Sequence, residues 1–361
     1  MELQNNKSQT EKRQALRERI LHLQPTDFER LALDIFRYQA RYNPVYNQYI
    51  SYLNINPELV TRLTHIPFLP VQFFKHHIIK SVGSPGDGSP GDGSPVASAI
   101  FQSSGTTGQQ TSQHHLFDET LYKTVSARIF QENFGDLKQF HILALLPSYL
   151  ERNNSSLVYM MQHFITESQS ELSGFYLKNV EELLQTLTFL SSNPDGRKVL
   201  LLGVTFALLD LAESAYDLSF LSKIKELTVM DTGGMKGRRQ ELLREEVHDV
   251  LTSRLSIDKI HSEYGMTEML SQGYSHGSGL LLPGFSMRIL LRDINDPFAI
   301  YDHNITKSKT GGINVIDLAN LDSCSFIETQ DLGRFGETEG SFYVMGRFDN
   351  SDIRGCNLMV I

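Results

Sequence analysis

Apolar residues recur at helical spacing through residues 1–60. Leu16, Ile20 and Leu23 set the period, and "PTDFERLALDIFRYQARY" repeats it after Pro25. That spacing puts the apolar side chains on one face, so the region reads as helical. "IPFLPVQFFKHHIIKS" follows, rich in prolines and aromatics, and reads as an extended segment packed on a core. From Phe140 the pattern alternates. "FHILALLP", "KVLLLGV", "ELTVMDTGG" and "IDKIHSEYG" read as strands. "NNSSLVYMMQHFI", "NVEELLQTLTFLSS", "FALLDLAESA" and "RRQELLREEVHDVLTSRL" read as helices, the first with an Asn or Ser cap. Such alternation predicts an α/β fold, a largely parallel sheet covered by helices. After about residue 280 the helical pattern stops. "SMRILLRD", "GGINVIDL", "CSFIETQDLG" and "GSFYVMGRF" predict short strands in a smaller β-rich subdomain. The expected division is a helical region at 1–66, an α/β core at 67–280 and the β-rich part at 281–361. Inside the core, "GSPGDGSPGDGSP" at 83–95 is a Gly/Ser/Pro repeat that cannot pack. It reads as an expanded surface loop rather than a lid.

Composition narrows the function classes. The chain has 361 residues, 40% of them hydrophobic, enough for a sizeable core. A net charge of −9 argues against nucleic acid or anionic lipid as a partner. The polar start "MELQNNKSQTEKRQALRERI" lacks the apolar stretch of a secretory signal. The longest apolar run, "KVLLLGVTFALLDLA", is broken by Gly203, Thr205 and Asp210 and is too short for a membrane span. Two cysteines, Cys324 and Cys356, do not make a disulfide framework. The expectation is a soluble cytoplasmic protein with free thiols.

The candidate chemistry lies at strand ends, where open α/β sheets bind ligands. Ser103, Ser104, Gly105, Thr106, Thr107 and Gly108 follow the apolar run "AIF". Such a loop buries nothing and offers hydroxyls and backbone N–H groups, the donors that hold phosphate oxygens. It is neither a Walker A loop nor a dinucleotide fingerprint. Thr232, Gly233 and Gly234 end one strand, where a flat ring can approach the backbone. Tyr264, Gly265, Thr267 and Glu268 follow another, and a carboxylate near a triphosphate is a candidate Mg²⁺ ligand. Asp331 can accept from two ribose hydroxyls, and Arg347 can contact ribose or phosphate. Each has a plainer reading. Asp331 suits a turn, Glu268 a helix N-terminus, and Arg347 a surface ion pair. The histidines His76, His77, His114, His115, His261 and His276 show no zinc spacing and read as structural or solvent-facing.

The order of these stretches resembles the adenylate-forming superfamily of acyl- and aryl-CoA synthetases. Ser103–Gly108 matches its phosphate loop and Thr232–Gly234 its adenine turn. Tyr264–Glu268 has the Tyr-Gly-x-Thr-Glu form without change, and Gly346–Asp349 matches the Gly-Arg-x-Asp hinge. Thr329–Asp331 matches the Thr-Gly-Asp ribose motif, with Gln330 in place of Gly. The lysine that commonly follows the phosphate loop is replaced by Gln109–Gln113 and His114. Within the superfamily, "IPFLPVQFFK", "SSGTTGQ", "LLPSYLERNNSSLVYMM" and "DTGGMKGR" are most similar to the LuxE-like acyl-protein synthetases of the bacterial luminescence fatty-acid reductase. The similarity runs from about Pro67 onward.

The resemblance implies an adenylate-forming N-terminal-domain fold that needs ATP and Mg²⁺. The expected reaction activates a carboxylic acid, long-chain by the family, to acyl-AMP. The C-terminal domain that carries a catalytic lysine in CoA synthetases is expected to be absent, since the chain ends at Ile361 soon after the hinge. The family hands its acyl group to a cysteine of the protein itself, and Cys356 matches that position. Arg354 and Gly355 beside it favour a reactive thiolate. Catalytic roles are thereby implied for Cys356, Glu268, Thr267 and Arg347, and nucleotide contacts for the loop, Thr232–Gly234, Tyr264, Gly265 and Asp331. An acyl-CoA reductase is the implied downstream partner. Cys324, in "DSCSFIET", reads as a packing residue. Two alternatives remain: a phenylacetate-type aryl-CoA ligase, and a non-catalytic nucleotide-binding scaffold.

Overall fold

A computed structural model describes residues 2–81, 97–103, 110–147, 154–176, 179–233, 242–303 and 309–348, with side chains from residue 9 onward. Helices α1 (Glu2–Leu21), α2 (Phe28–Tyr42) and α3 (Pro44–Tyr52) open the chain, followed by β1 (Leu69–Pro70) and α4 (Phe73–His76). A hairpin of β2 (Ala99–Gln102) and β3 (Gln113–Leu116) leads into α5 (Glu119–Phe134). Then β4 (Phe140–Leu145), α6 (Ser156–Ser168), β5 (Gly174–Tyr176), α7 (Val180–Ser192), β6 (Lys198–Val204), α8 (Thr205–Ala212), β7 (Leu227–Thr232), α9 (Arg244–Leu255) and β8 (His261–Tyr264) alternate. The remainder is β9 (Gly273–Ser275), β10 (Leu281–Pro283), β11 (Met287–Arg292), β12 (Ile300–Tyr301), β13 (Thr310–Asp317), β14 (Phe326–Phe335) and β15 (Phe342–Arg347).

The sheet is mixed, which corrects the expectation of a parallel one. Its order is β12-β11-β13-β14-β15-β10-β9-β8-β7-β6-β4-β5, with β1 parallel to β14. Five strands, β5-β4-β6-β7-β8, are parallel. At β9 the pairing turns antiparallel and stays so to β12. The strands after residue 280 continue the same hydrogen-bonded sheet through Leu281, which pairs with both Ser275 and Phe342. Burial follows the two regimes. All six residues of β4 are buried, as in a parallel strand covered on both faces. In β14 buried and half-buried residues alternate.

Local chemistry accounts for the helix starts. Asn179 caps α7 by accepting from Glu182 N, and Ser155 caps α6 by accepting from Val158 N. Helix α5, sixteen residues long, is not among the elements expected from the apolar pattern. Its signals are present: Asp118 accepts from Leu121 N at 2.9 Å, and Gly135 follows its end at φ +102°. The charged helix expected from Arg238 starts at Arg244 in the described residues.

The N-terminal helices dock through buried polar contacts as well as apolar ones. Gln39 donates Nε2 to the carbonyls of Asn320 (2.8 Å) and Leu321 (3.0 Å). Arg13 forks onto Asp322 at 2.7 and 2.6 Å and also reaches Asp118 at 2.9 Å. Among the described residues no helix is long and apolar enough to cross a membrane.

Candidate functional site

The carboxyl ends of β7 and β8 carry the polar residues that the sequence placed together. The two strands are in register, Thr232 opposite Glu263. The Thr232 hydroxyl donates to the Glu263 carboxyl. Gly233 follows at φ +71°, a conformation glycine adopts without strain, and its carbonyl accepts from Thr205 Oγ1 at 2.9 Å. Gly265 leaves room for the Glu263 carboxyl, which a Cβ at that position would meet. Burial pushes Glu263 up to about 7, with Asp231 adding to the shift and the Thr232 hydroxyl opposing it.

Tyr264, the last residue of β8, reaches across to the antiparallel half of the sheet. Its hydroxyl donates to Asp331 Oδ2 at 2.9 Å, and its ring stands edge-on to Phe342. Asp331 on β14 is the register partner of Arg347 on β15, whose Nε donates to Asp331 Oδ1 at 3.2 Å. The Asp331 side chain is 8% exposed and that of Arg347 80%, so the pair is a buried carboxylate with a solvated cation over it. Each carboxylate oxygen retains a lone pair for a further donor. Thr329 orients the segment, accepting from Asp331 N at 3.1 Å. Strand alternation places Gln330 on the face opposite Thr329 and Asp331, so the departure from Gly at 330 leaves the Asp331 face unaltered.

Glu268 closes the turn after β8. It is buried, and burial raises its carboxyl above the ordinary range, while the Ser112 hydroxyl, Arg347 and Lys75 favour the charged form. Ser112 is also the neck of the Ser/Thr/Gly loop. Ser103 N donates to Ser112 O at 3.1 Å, and Ser112 N donates to Ser103 Oγ at 2.9 Å. Ser103 and Ser112, the described residues flanking the loop, are therefore paired with each other near Glu268. Ser104, Gly105, Thr106, Thr107, Gly108, Gly234 and Cys356 lie outside the described residues. Cys324 is fully buried, and burial pushes its thiol up to about 12, consistent with packing.

Three residues of this corner were not singled out as functional from the sequence. Ser112 and Glu263 belong to no motif of the sequence, and His114 reads there as structural or solvent-facing. His114 is buried, with its ring against the backbone of Thr267. Glu263 had one available signal, its place directly before Tyr264. The others depend on contacts between distant segments.

Among the described residues no group of three or more His, Cys, Asp or Glu is placed to hold a metal. Glu268 with the Ser112 hydroxyl offers one carboxylate. That donor set fits Mg²⁺ held mainly by substrate phosphates and water, and does not fit an all-protein cage.

The chain matches no protein-family model, and a search of curated proteins finds no match to it.

Proposed function

We propose that the protein uses ATP to activate a carboxylic acid as its adenylate and then captures the acyl group on Cys356. The observation that carries this reading is the convergence at the ends of β7 and β8. Tyr264, Asp331 and Arg347 form one hydrogen-bonded group, and Glu268 sits against the neck of the Ser/Thr/Gly loop through Ser112. Asp331 has acceptor capacity for ribose hydroxyls, and Arg347 offers an exposed cation to phosphate. Hydroxyls and N–H groups of residues 103–108 receive the β- and γ-phosphates. Magnesium, when bound through Glu268, offsets charge on the phosphates.

In the first step a substrate carboxylate oxygen attacks the α-phosphorus. The bond to the bridging oxygen breaks and pyrophosphate leaves. In the second step the Cys356 thiolate attacks the acyl carbon of the mixed anhydride, the C–S bond forms and AMP departs. The thioester is then available to an acceptor such as an acyl-CoA reductase. The strand ends and their glycine turns supply the framework, and the assignment of Cys356 rests on the family resemblance.

The test is ATP–pyrophosphate exchange across a panel of carboxylic acids that includes long-chain fatty acids. At least one acid is expected to support exchange. With labelled acid, Cys356→Ser keeps exchange and loses the hydroxylamine-sensitive label, while Cys324→Ser keeps both. No exchange with any acid overturns adenylation. Exchange with acyl-CoA formed on adding CoA, and no protein label, replaces the self-acylating reading with a CoA ligase.

A further inference from the structure

Strand β3 leaves the Ser/Thr/Gly loop with Ser112 just before it and His114 as its second residue. Residues two apart on a strand share a face, and these two reach the same turn. The Ser112 hydroxyl lies near enough to the Glu268 carboxyl to favour its charged form. His114 Nδ1 lies 2.8 Å from the carbonyl oxygen of Thr267. A carbonyl only accepts, so Nδ1 carries the hydrogen, and burial keeps the ring neutral by pushing it down to about 4. A different element holds the next carbonyl. Asn320, ending the short turn Leu318–Asn320, donates Nδ2 to Glu268 O at 2.8 Å. Two consecutive carbonyls of one turn are thus each held by a side chain at most 1% exposed.

The unused polar ends, His114 Nε2 and Asn320 Oδ1, have no partner among the described protein atoms. Both residues line one small cavity, with room for about one water molecule. Burying an imidazole and an amide while half of each goes without a protein partner costs free energy. Packing does not call for it: His114 lies edge-on to Phe74 and Phe101, where an apolar side chain suits the core better. Fixing the Thr267–Glu268 backbone is what the two polar groups achieve.

We propose that His114 and Asn320 are positioning residues that clamp this turn and hold the Glu268 carboxyl against Ser112, at the neck of the phosphate loop. The inference deepens the proposed function and rests on its assignment of Glu268 to the ATP site. It also makes the hairpin and the turn one mechanical unit, so that Ser103 and Ser112 at the neck keep a fixed relation to the carboxylate.

The test uses the full chain with His114→Asn, His114→Leu and Asn320→Asp. Asparagine places its Nδ2 donor where His114 Nδ1 stands. Leucine fills the space without a donor, and the Asn320→Asp variant keeps the side-chain shape without the amide hydrogens. One readout needs no substrate: amide hydrogen exchange of residues 266–270 in the unliganded protein. We expect exchange about tenfold faster in His114→Leu and Asn320→Asp, near wild type in His114→Asn, and unchanged in β4 and β6. The second readout is MgATP binding by calorimetry. It should weaken roughly 10- to 100-fold in His114→Leu and Asn320→Asp and stay within about threefold in His114→Asn. Equal exchange in the Leu and Asn variants, or no local change in any variant, overturns the clamp. Should His114→Leu fail to fold, Asn320→Asp decides on the same criterion. If the wild type binds no MgATP, the proposed function falls, and the exchange pattern alone upholds or overturns the clamp.

Discussion

Two polar clusters sit at opposite ends of the parallel strands, and they differ in what is left over. At the amino end of β4, His141 lies between Ser170 (Nδ1···Oγ 2.6 Å) and Asp195 (Nε2 3.1 Å from both carboxylate oxygens). The three residue types are those of a hydrolytic triad. Yet both ring nitrogens are engaged, Ser170 Oγ accepts from Leu172 N at 3.2 Å, and Asp195, half exposed, accepts from Arg197 N at 3.0 Å. The group ties the turn after α6 to the one before β6, and its acid, Asp195, stays half exposed to solvent. At the carboxyl end the reverse holds. Glu263 and Glu268 are both shifted toward the protonated form by burial, and Asp331 is buried under an exposed cation. A fold does not need two acids in places that penalise their charge, and such groups concentrate at functional sites. Residue types in hydrogen-bond reach are therefore weaker evidence of a site than acids buried at the ends of strands.

Glu268→Gln gives the largest expected effect. It keeps the size and removes the charge, so exchange should fall on the order of 10²-fold and the Mg²⁺ titration should shift, with the fold retained. An unchanged Mg²⁺ titration would make Glu268 a structural acid and break the contrast between the two ends.

Glu263 sharpens the contrast through pH. Its folded value, about 7, lies above its ordinary 4.5, so the folded protein keeps a proton that the unfolded chain releases. The penalty for ionising it is absent below about pH 4.5 and complete above about pH 7, so its contribution lowers stability as pH rises through that window. Glu263→Gln should remove this step and raise stability at pH 8 by about 3 kcal/mol, read from denaturant midpoints at pH 5 and pH 8. A variant with the wild-type pH profile would show that Glu263 titrates normally.

The smallest expected effect is at the other end. Ser170→Ala should cost about 1 kcal/mol of stability for its lost hydrogen bonds and leave exchange at the wild-type rate. A fall in exchange at unchanged stability would place the His141 group in the function and undo the comparison.

Much of the fold was legible because burial is written into local pattern. The continuous apolar runs of β4 and β6 and the caps at Ser155 and Asn179 are local signals, and the elements follow them. Helix α5 is less legible because its amphipathic pattern is weak, so that only its end signals, Asp118 and Gly135, mark it locally. The antiparallel continuation escaped for a different reason. Strand identity is a local property, whereas pairing direction depends on which edge each strand finds, and β9 and β10 are only three residues each.

The site divides along the same line. The sequence by itself determined which residue types stand at the strand ends: the hydroxyl and glycine loop, Tyr264, Thr267, Glu268, Asp331 and Arg347. Their spacing along the chain marks turns after strands, and turn residues announce themselves locally. Tertiary structure alone decided which of them meet. Tyr264 finds Asp331 only because the sheet runs on from β8 through β9, β10 and β15 to β14. Ser112 and His114 find the Glu268 turn only because the hairpin packs on it. Hydrogen bonds and burial penalties act over a few ångströms in space regardless of separation along the chain, so partners far apart in sequence are set by the closed fold.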